Sequence, residues 1–390
     1  MKRKLWTLLL ALGAALALCV GAGAAEVSVA QANQLIGDSV ELNGEYKLIA
    51  DITIDRSIVI KKEKSVTLDL NGRVLDLGEK HILVNGTVDH FSTLTIMDSA
   101  PAEEHKFTDT NGLWVLDTDG DKTVKGGVIT GGSNTSGGAM VVDWWGTVTM
   151  NGGNIVGCSA SESGGAVCST SNFSFTMNGG SIAGCTAKNG SAIYLKGGQM
   201  NANGGTVNGT VVLAVDGSSE CIINGGGVSF SGLIINEDAN ATFSGAHSSL
   251  GIVGEKPGTH SDTYYTVTFY LVDSTMEYTT RYFLTGGNIS DQIVPDSRPG
   301  YTFDGWYNGE NEWDHDDNTV TGDMTLTAKW TRSHTNHCVC GGTSDVKHTH
   351  DVNTVWTAWT STDSLPRDTG HYYLTDNVVL PADSDYVLDY

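Results

Sequence analysis

Met150-Asn151-Gly152-Gly153-Asn154-Ile155-Val156-Gly157-Cys158-Ser159-Ala160 returns as Met177-Asn178-Gly179-Gly180-Ser181-Ile182-Ala183-Gly184-Cys185-Thr186-Ala187, a shift of 27 residues. Self-similarity at such a period marks a solenoid. One turn of short strands cannot bury its own apolar face, so stacked turns must share a core. Outward from this stretch the same phrases continue. Gly126-Gly127, Gly152-Gly153, Gly179-Gly180 and Gly204-Gly205 recur 25 to 27 residues apart. A second phase holds Gly137-Gly138-Ala139-Met140, Gly164-Gly165-Ala166-Val167 and Gly190-Ser191-Ala192-Ile193, and Gly225-Gly226-Gly227 extends the series at a shorter interval. Glycine takes positive φ without strain, which sharp corners require. Between the corners, Val, Ile and Leu alternate with polar residues at the two-residue period of a strand, and helical spacing is absent. Upstream, Ile52, Ile54, Ile58, Ile60, Val66, Leu68 and Leu70 alternate likewise, and Asn71-Gly72 is a turn signal.

These phrases resemble the right-handed parallel β-helix proteins of the pectate-lyase-like group, over roughly residues 40 to 255. The Gly-Gly-Ala-(Met/Val) and Gly-Gly-x-Ile forms are also similar to repeats of bacterial polymorphic surface proteins. The resemblance implies an all-β fold, a right-handed parallel β-helix over 26–255. Its open first turn needs a cover. Ser28 and Gln31 have capping-box spacing, and Val29, Ala32, Leu35 and Ile36 share a helical face, so a short N-terminal cap helix is expected over 28–37.

Composition changes after the polar stretch Glu255-Lys256-Pro257-Gly258-Thr259-His260-Ser261-Asp262, which reads as a linker over 256–263. Residues 264–330 hold three of the nine Trp and no repeat phrase. Val267-Thr268-Phe269, Arg298-Pro299-Gly300-Tyr301-Thr302-Phe303-Asp304-Gly305-Trp306-Tyr307 and Met324-Thr325-Leu326-Thr327-Ala328-Lys329-Trp330 resemble the Listeria–Bacteroides repeat of internalin-type surface proteins. That resemblance implies a small β-grasp-like module. Val272-Asp273-Ser274 stands where the family has an Asn-Gly-Gly turn, so a different turn is expected in the first hairpin. Residues 331–364 form a Cys/His-containing linker. In 365–390, Gly370-His371-Tyr372-Tyr373-Leu374 echoes Gly44-Glu45-Tyr46-Lys47-Leu48, as though a second, truncated β-helix begins there.

The chain opens Met1-Lys2-Arg3-Lys4, runs apolar from Leu5 to Val20 and leaves through Ala22-Gly23-Ala24-Ala25. A basic start, a short apolar run and a small-residue exit make a signal peptide over 1–25, too short for a comfortable membrane span. Its removal leaves 19 basic against 45 acidic residues, a net charge of −26. Such a surface argues against nucleic acid and anionic membranes as partners. Six Cys over the remaining 365 residues do not make a disulfide scaffold.

Four groups of residues carry candidate chemistry. His334, His337, Cys338, Cys340, His348 and His350 are the thiols and imidazoles that zinc prefers, in a segment too small for its own core, so the expected cofactor is a structural zinc ion. A Cys338–Cys340 disulfide or an unstructured linker is the plainer alternative. Cys158 and Cys185 share a phase on adjacent turns about 4.8 Å apart, within reach of a disulfide, although a ladder of small buried thiols is favoured. Asp117-Thr118-Asp119-Gly120-Asp121 opens like a calcium loop, but Lys122 and Val128 stand where an EF-hand needs Gly and Glu, which favours a polar hairpin tip. Glycan-cleaving β-helices use acid clusters, and Asp69, Arg73 and Asp76, with Asp89 and Asp98 further on, are the candidates should the chain be an enzyme. Between 126 and 215 the acids are Asp143 and Glu162, which weighs against catalysis there. Trp144 and Trp145 are adjacent, and alternation along a strand would expose one of them to stack on a sugar ring.

The expected function is therefore non-catalytic binding or adhesion by a secreted or cell-surface modular bacterial protein. An extracellular glycan or surface protein is the expected partner, with no membrane span. Polysaccharide cleavage on the β-helix face and a purely architectural stalk are the rivals. The adhesin reading draws on the resemblance to modular surface proteins, which is an analogy of fold and not of chemistry.

Overall fold

A computed structural model describes residues 25–26, 39–170, 173–214, 221–237, 241–245, 247–259, 263–271, 276–297, 301–332, 356–359 and 371–374. Apart from Ala25, the expected signal peptide lies outside them, as do the cap helix over 28–37 and the six metal-ligand candidates.

The described residues are all-β, built on large parallel sheets in a parallel β-helix-like fold. The chain visits three faces in rotation. Ser65–Asp69 lies on the first, Val74–Asp76 on the second and Ile82–Asn85 on the third. Ser92–Met97 then returns to the first face, in parallel register on Ser65–Asp69. The first sheet has ten strands and the second eight.

Register follows the repeat phrase. Met150 pairs with Met177 and Ile155 with Ile182, each the same 27 residues on. Inward residues consequently form columns. Val66, Leu94, Val148, Phe175, Met200, Ile223 and Phe243 stack on the first face, each at most 2% exposed. A fully buried aliphatic or aromatic side chain contributes roughly 1.5–3 kcal/mol, so the columns are the main source of cohesion. Gly153, Gly180 and Gly205, at φ +77, +85 and +106, turn the chain from the first face to the second.

One insertion interrupts the rotation. Glu104–Thr110 pairs antiparallel with both Leu113–Leu116 and Lys122–Lys125. Phe107 anchors it in a small core with Val124, Val128 and Val156, and Trp114 packs against this group. Trp114 also lies over Gly157 and Gly184, where a Cβ would meet its carbonyl oxygen at 1.8 Å and its ring at 2.2 Å.

The segment expected as a linker contributes a strand to the stack. Gly258–Thr259 pairs with Thr242 and Phe243 on the first face. A small mixed sheet follows. Tyr264–Tyr270 and Glu277–Leu284 form an antiparallel hairpin, and Met324–Arg332 lies between Tyr264–Tyr270 and Tyr301–Asn308. Its core holds Trp306, Phe269, Phe283, Leu326 and Trp313. This sheet joins the third face through Ile252 and Tyr282, so the combined sheet reaches fourteen strands. Arg281 Nη1 donates to the Leu250 carbonyl at 2.7 Å, and Ser290 N–H to Ser249 at 2.7 Å. Tyr264 is 2% exposed within the β-helix core, its ring 6.1 Å from that of Phe243. Beyond, Trp356–Trp359 pairs in parallel with His371–Leu374.

Candidate functional site

Each turn passes from the third face to the first through a loop, and these loops stack on one another. Residues 61–64, 86–91 and 143–146 occupy three successive levels of this corner. Glu63 N–H donates to the Phe91 carbonyl at 2.9 Å, and Gly86 N–H to the Trp144 carbonyl at 2.9 Å. His90 Nδ1 lies 2.5 Å from Glu63 Oε1, and Thr170 Oγ1 donates to Asp143 from the level above.

Trp144 and Trp145 sit in this corner, after Met140–Asp143 and before Gly146–Met150. The strand alternation expected for them does not apply. Both have left-handed backbone, at φ +28 and +59, which takes them out of the pleat. An L-residue held there costs about 1–2 kcal/mol, and bulky side chains are uncommon in that region. The result projects both rings away from the core. Trp144 is 56% exposed, and Trp145 packs edge-on against Phe91, with centroids 5.8 Å apart at 79°. Phe91 is itself 55% exposed and Val88 61%. The corner is thus a platform of two Trp and one Phe, with Val88 exposed on the same loop as Phe91, and exposed Lys61, Lys62 and Lys64 lie one level below. Phe91 lies outside any repeat phrase, and only the stacking of turns brings it beside Trp145.

The candidate acids have other partners. Asp69 is 7% exposed, accepts hydrogen bonds from Asn71 N–H and Ser99 N–H at 2.9 Å each, and lies 3.5 Å from Lys47 Nζ. Asp76 accepts from Gly78 N–H at 2.9 Å. Asp98 accepts from Gly72 N–H at 2.6 Å and Gly127 N–H at 2.8 Å. Asp69 and Asp98 tie successive turns together by satisfying backbone donors at the corners, while Asp76 holds its own turn. Asp69 ends a strand of the first face and Asp76 one of the second, so they do not converge on a single face. The Nε of Arg73 is buried without a hydrogen-bond partner.

The remaining candidates are structural. Cys158, Cys168, Cys185 and Cys221 are free and buried. Cys158 N–H donates to Cys185 Sγ at 3.4 Å, in the expected ladder of thiols. Hydrogen bonding to Cys185, then burial, raises the Cys158 thiol well above its ordinary value. Burial pushes Cys168 up to about 11 and Cys221 up to about 12. Asp117 accepts from Asp119 N–H at 3.0 Å and Thr108 Oγ1 at 2.7 Å, which lowers its carboxyl; the segment is not the expected hairpin tip but the connection between Leu113–Leu116 and Lys122–Lys125, which flank Glu104–Thr110 on opposite sides. A cleft of about 820 Å³ lies where Ser249 meets Asp291, Asp304, Glu312, Asp314 and His315. There Asp304 accepts from Thr331, Asp314 from Asp316 N–H, and His315 Nδ1 contacts the Ile289 carbonyl at 2.9 Å. Among the described residues no group of three or more His, Cys, Asp or Glu is arranged to hold a metal ion, and no helix is long and apolar enough to cross a membrane.

A Listeria-Bacteroides repeat domain matches residues 265–329, within the segment where the sequence resembles one. Domains of this kind are found in bacterial surface proteins, consistent with a cell-surface role for this chain. No curated protein and no solved structure matches it.

Proposed function

We propose that this protein binds glycan at a bacterial cell surface without cleaving it, through the corner formed by Trp144, Trp145 and Phe91. The carrying observation is Trp144, a tryptophan 56% exposed on left-handed backbone. Strain of that kind persists only where the surrounding fold holds it, and it clusters at functional sites. An apolar ring face in water suits the C–H face of a sugar ring, as aromatic side chains combine large contact area with little loss of rotamer freedom. The rival enzyme reading needs two carboxylates flanking one scissile bond. Asp69, Asp76 and Asp98 instead serve backbone N–H groups, and the first two stand on different faces. The Listeria-Bacteroides repeat supports display at the surface as its setting.

The test is native electrophoresis of residues 26–390 through gels cast with different polysaccharides, then stained for remaining polymer. Retarded migration that Trp144→Ala restores to normal is the expected result. A cleared zone in the gel would establish cleavage and reject the reading, and unretarded migration across the panel would point to a protein ligand or a plain stalk.

A further inference from the structure

The aromatic corner borders the first face, and that face has an unusual outward surface. Thr95, Thr149, Thr176, Asn201, Asn224 and Ser244 stand in register on six successive strands. Each is partly exposed. A second column beside it begins Thr93, Thr147, Ser174 and Gln199. From Ser92–Met97 to Thr242–Ser244 the strands of this face contain no charged residue. In a chain of net charge −23 that is a marked exclusion.

Some of these side chains are tied to one another, Asn201 Nδ2 donating to Thr176 Oγ1 at 3.1 Å and Ser244 Oγ to Asn224 Oδ1 at 3.5 Å, which leaves each with further capacity toward solvent. Threonine suits an exposed strand position, but asparagine is depleted in strands, and Asn201 and Asn224 hold mid-face and strand-end positions. What the column shares is hydrogen-bonding type. A hydroxyl or carboxamide both donates and accepts, whereas a carboxylate or ammonium does only one. Rungs about 4.8 Å apart, with outward residues about 6.6 Å apart along each strand, give a flat lattice of groups that donate and accept. A further ladder of amides, Asn151 to Asn178 to Asn203, runs along the far edge with bonds of 2.8 Å.

We infer that the ligand is an uncharged polysaccharide lying over the first face, with one sugar ring on Trp144 and its hydroxyls on the Thr149–Thr176–Asn201 column. This rests on glycan binding at the aromatic corner. Sugar hydroxyls also donate and accept, so each can pair with a column residue in either sense. An anionic polymer would bring acceptors that need cations, and the strands of this face from Ser92–Met97 to Thr242–Ser244 have none. The surrounding acidic surface repels such a polymer at long range. The exposed lysines nearest the corner, Lys61, Lys62 and Lys64, stand on the level below Phe91, and of these the Lys64 carbonyl accepts from Thr93 N–H at 3.0 Å, at the foot of the second column.

The experiment compares binding of residues 26–390 to insoluble neutral glucan, xylan and mannan with binding to a polyuronate and a sulfated galactan. Wild type, Trp144→Ala, Thr149→Asp with Thr176→Asp, and Thr149→Ser with Thr176→Ser are compared, with circular dichroism to verify folding. Wild type is expected on a neutral polymer. Trp144→Ala and the Asp pair are each expected to bind at least tenfold more weakly, and the Ser pair within threefold of wild type. Retention on the charged polymers alone would overturn this inference and leave glycan binding standing. Neutral binding lost in Trp144→Ala but unchanged in the folded Asp pair would also overturn it, because the ligand would then not lie on the column. Retention on no polymer would overturn glycan binding itself.

Discussion

Tyr264→Ala tests how the small mixed sheet is joined to the stack. Tyr264 begins the hairpin of that sheet, yet its ring is 2% exposed among the last residues of the β-helix core, edge-on to Phe243. Truncating a buried aromatic to alanine costs about 3–5 kcal/mol. Of that, the edge-to-face pair contributes about 0.5–1.5 kcal/mol. Such a loss is a large share of a typical total of about 5–15 kcal/mol. In a stack where each turn contacts only its neighbours, it falls on the last turns first. Urea unfolding followed by circular dichroism, with amide exchange at Phe243 and Ile252 against Leu94, measures both size and place. Exchange is expected to accelerate at Phe243 and Ile252 and to stay slow at Leu94, while Tyr264→Phe retains most of the stability. A loss under about 1 kcal/mol, with unchanged exchange at Phe243, would refute the claim that the sheet closes the end of the stack.

Gly157→Ala is expected to destabilise by at least about 2 kcal/mol, since left-handed backbone alone costs about 1–2 kcal/mol and the Cβ would strike the Trp114 carbonyl; a melting temperature within 2 °C of wild type, by the usual scaling of such losses, would contradict it. Trp144→Gly relieves backbone strain at an exposed position, so stability is expected to hold or rise by up to about 1 kcal/mol while polysaccharide retention falls, and a clear drop in melting temperature would argue that the ring is structural. Buried Cys168 and Cys221 hold their protons up to about 11 and about 12. Because the folded values exceed the unfolded one, the stability they contribute is complete below about pH 8.5 and is lost as pH rises through the folded values. Unfolding free energies of wild type and the Cys168→Ala, Cys221→Ala variant, measured from pH 7 to 11, should therefore converge as pH rises. A constant difference would reject the assignment. His81 is the opposite case. Burial lowers its value, so its contribution is present above about pH 6.5 and lost as pH falls; His81→Asn should flatten the stability profile between pH 7 and 5, and an unaltered slope would exclude it.

The stacked turns were legible because packing repeats. Columns of inward residues need one period, and the Gly corners announce it twice per turn. The insertion at 104–125 is hidden because its one deep anchor, Phe107, has no periodic partner, and Asp117-Thr118-Asp119 suggests only a polar hairpin tip. The strand Gly258–Thr259 was masked by a linker-like composition, since ladder pairing uses backbone groups that any residue carries. The tryptophans were found, but not their setting. A left-handed pair of Trp is too rare to expect, and Phe91 meets Trp145 only through a register more than fifty residues long. The acids misled in a consistent way, because sequence does not distinguish a carboxylate that serves a backbone N–H from one free to act.

In-register stacking makes each turn a unit of length. Each turn pairs only with the turn on either side, face upon face. A duplicated turn inserted between Met150 and Met177 would extend the body by about 4.8 Å and add one rung to every face at once. The corner loops would keep their places, and the terminal sheet would be carried outward unchanged. The β-helix is thus a ruler graduated in sequence, along which reach can change in small equal steps without redesign of either end.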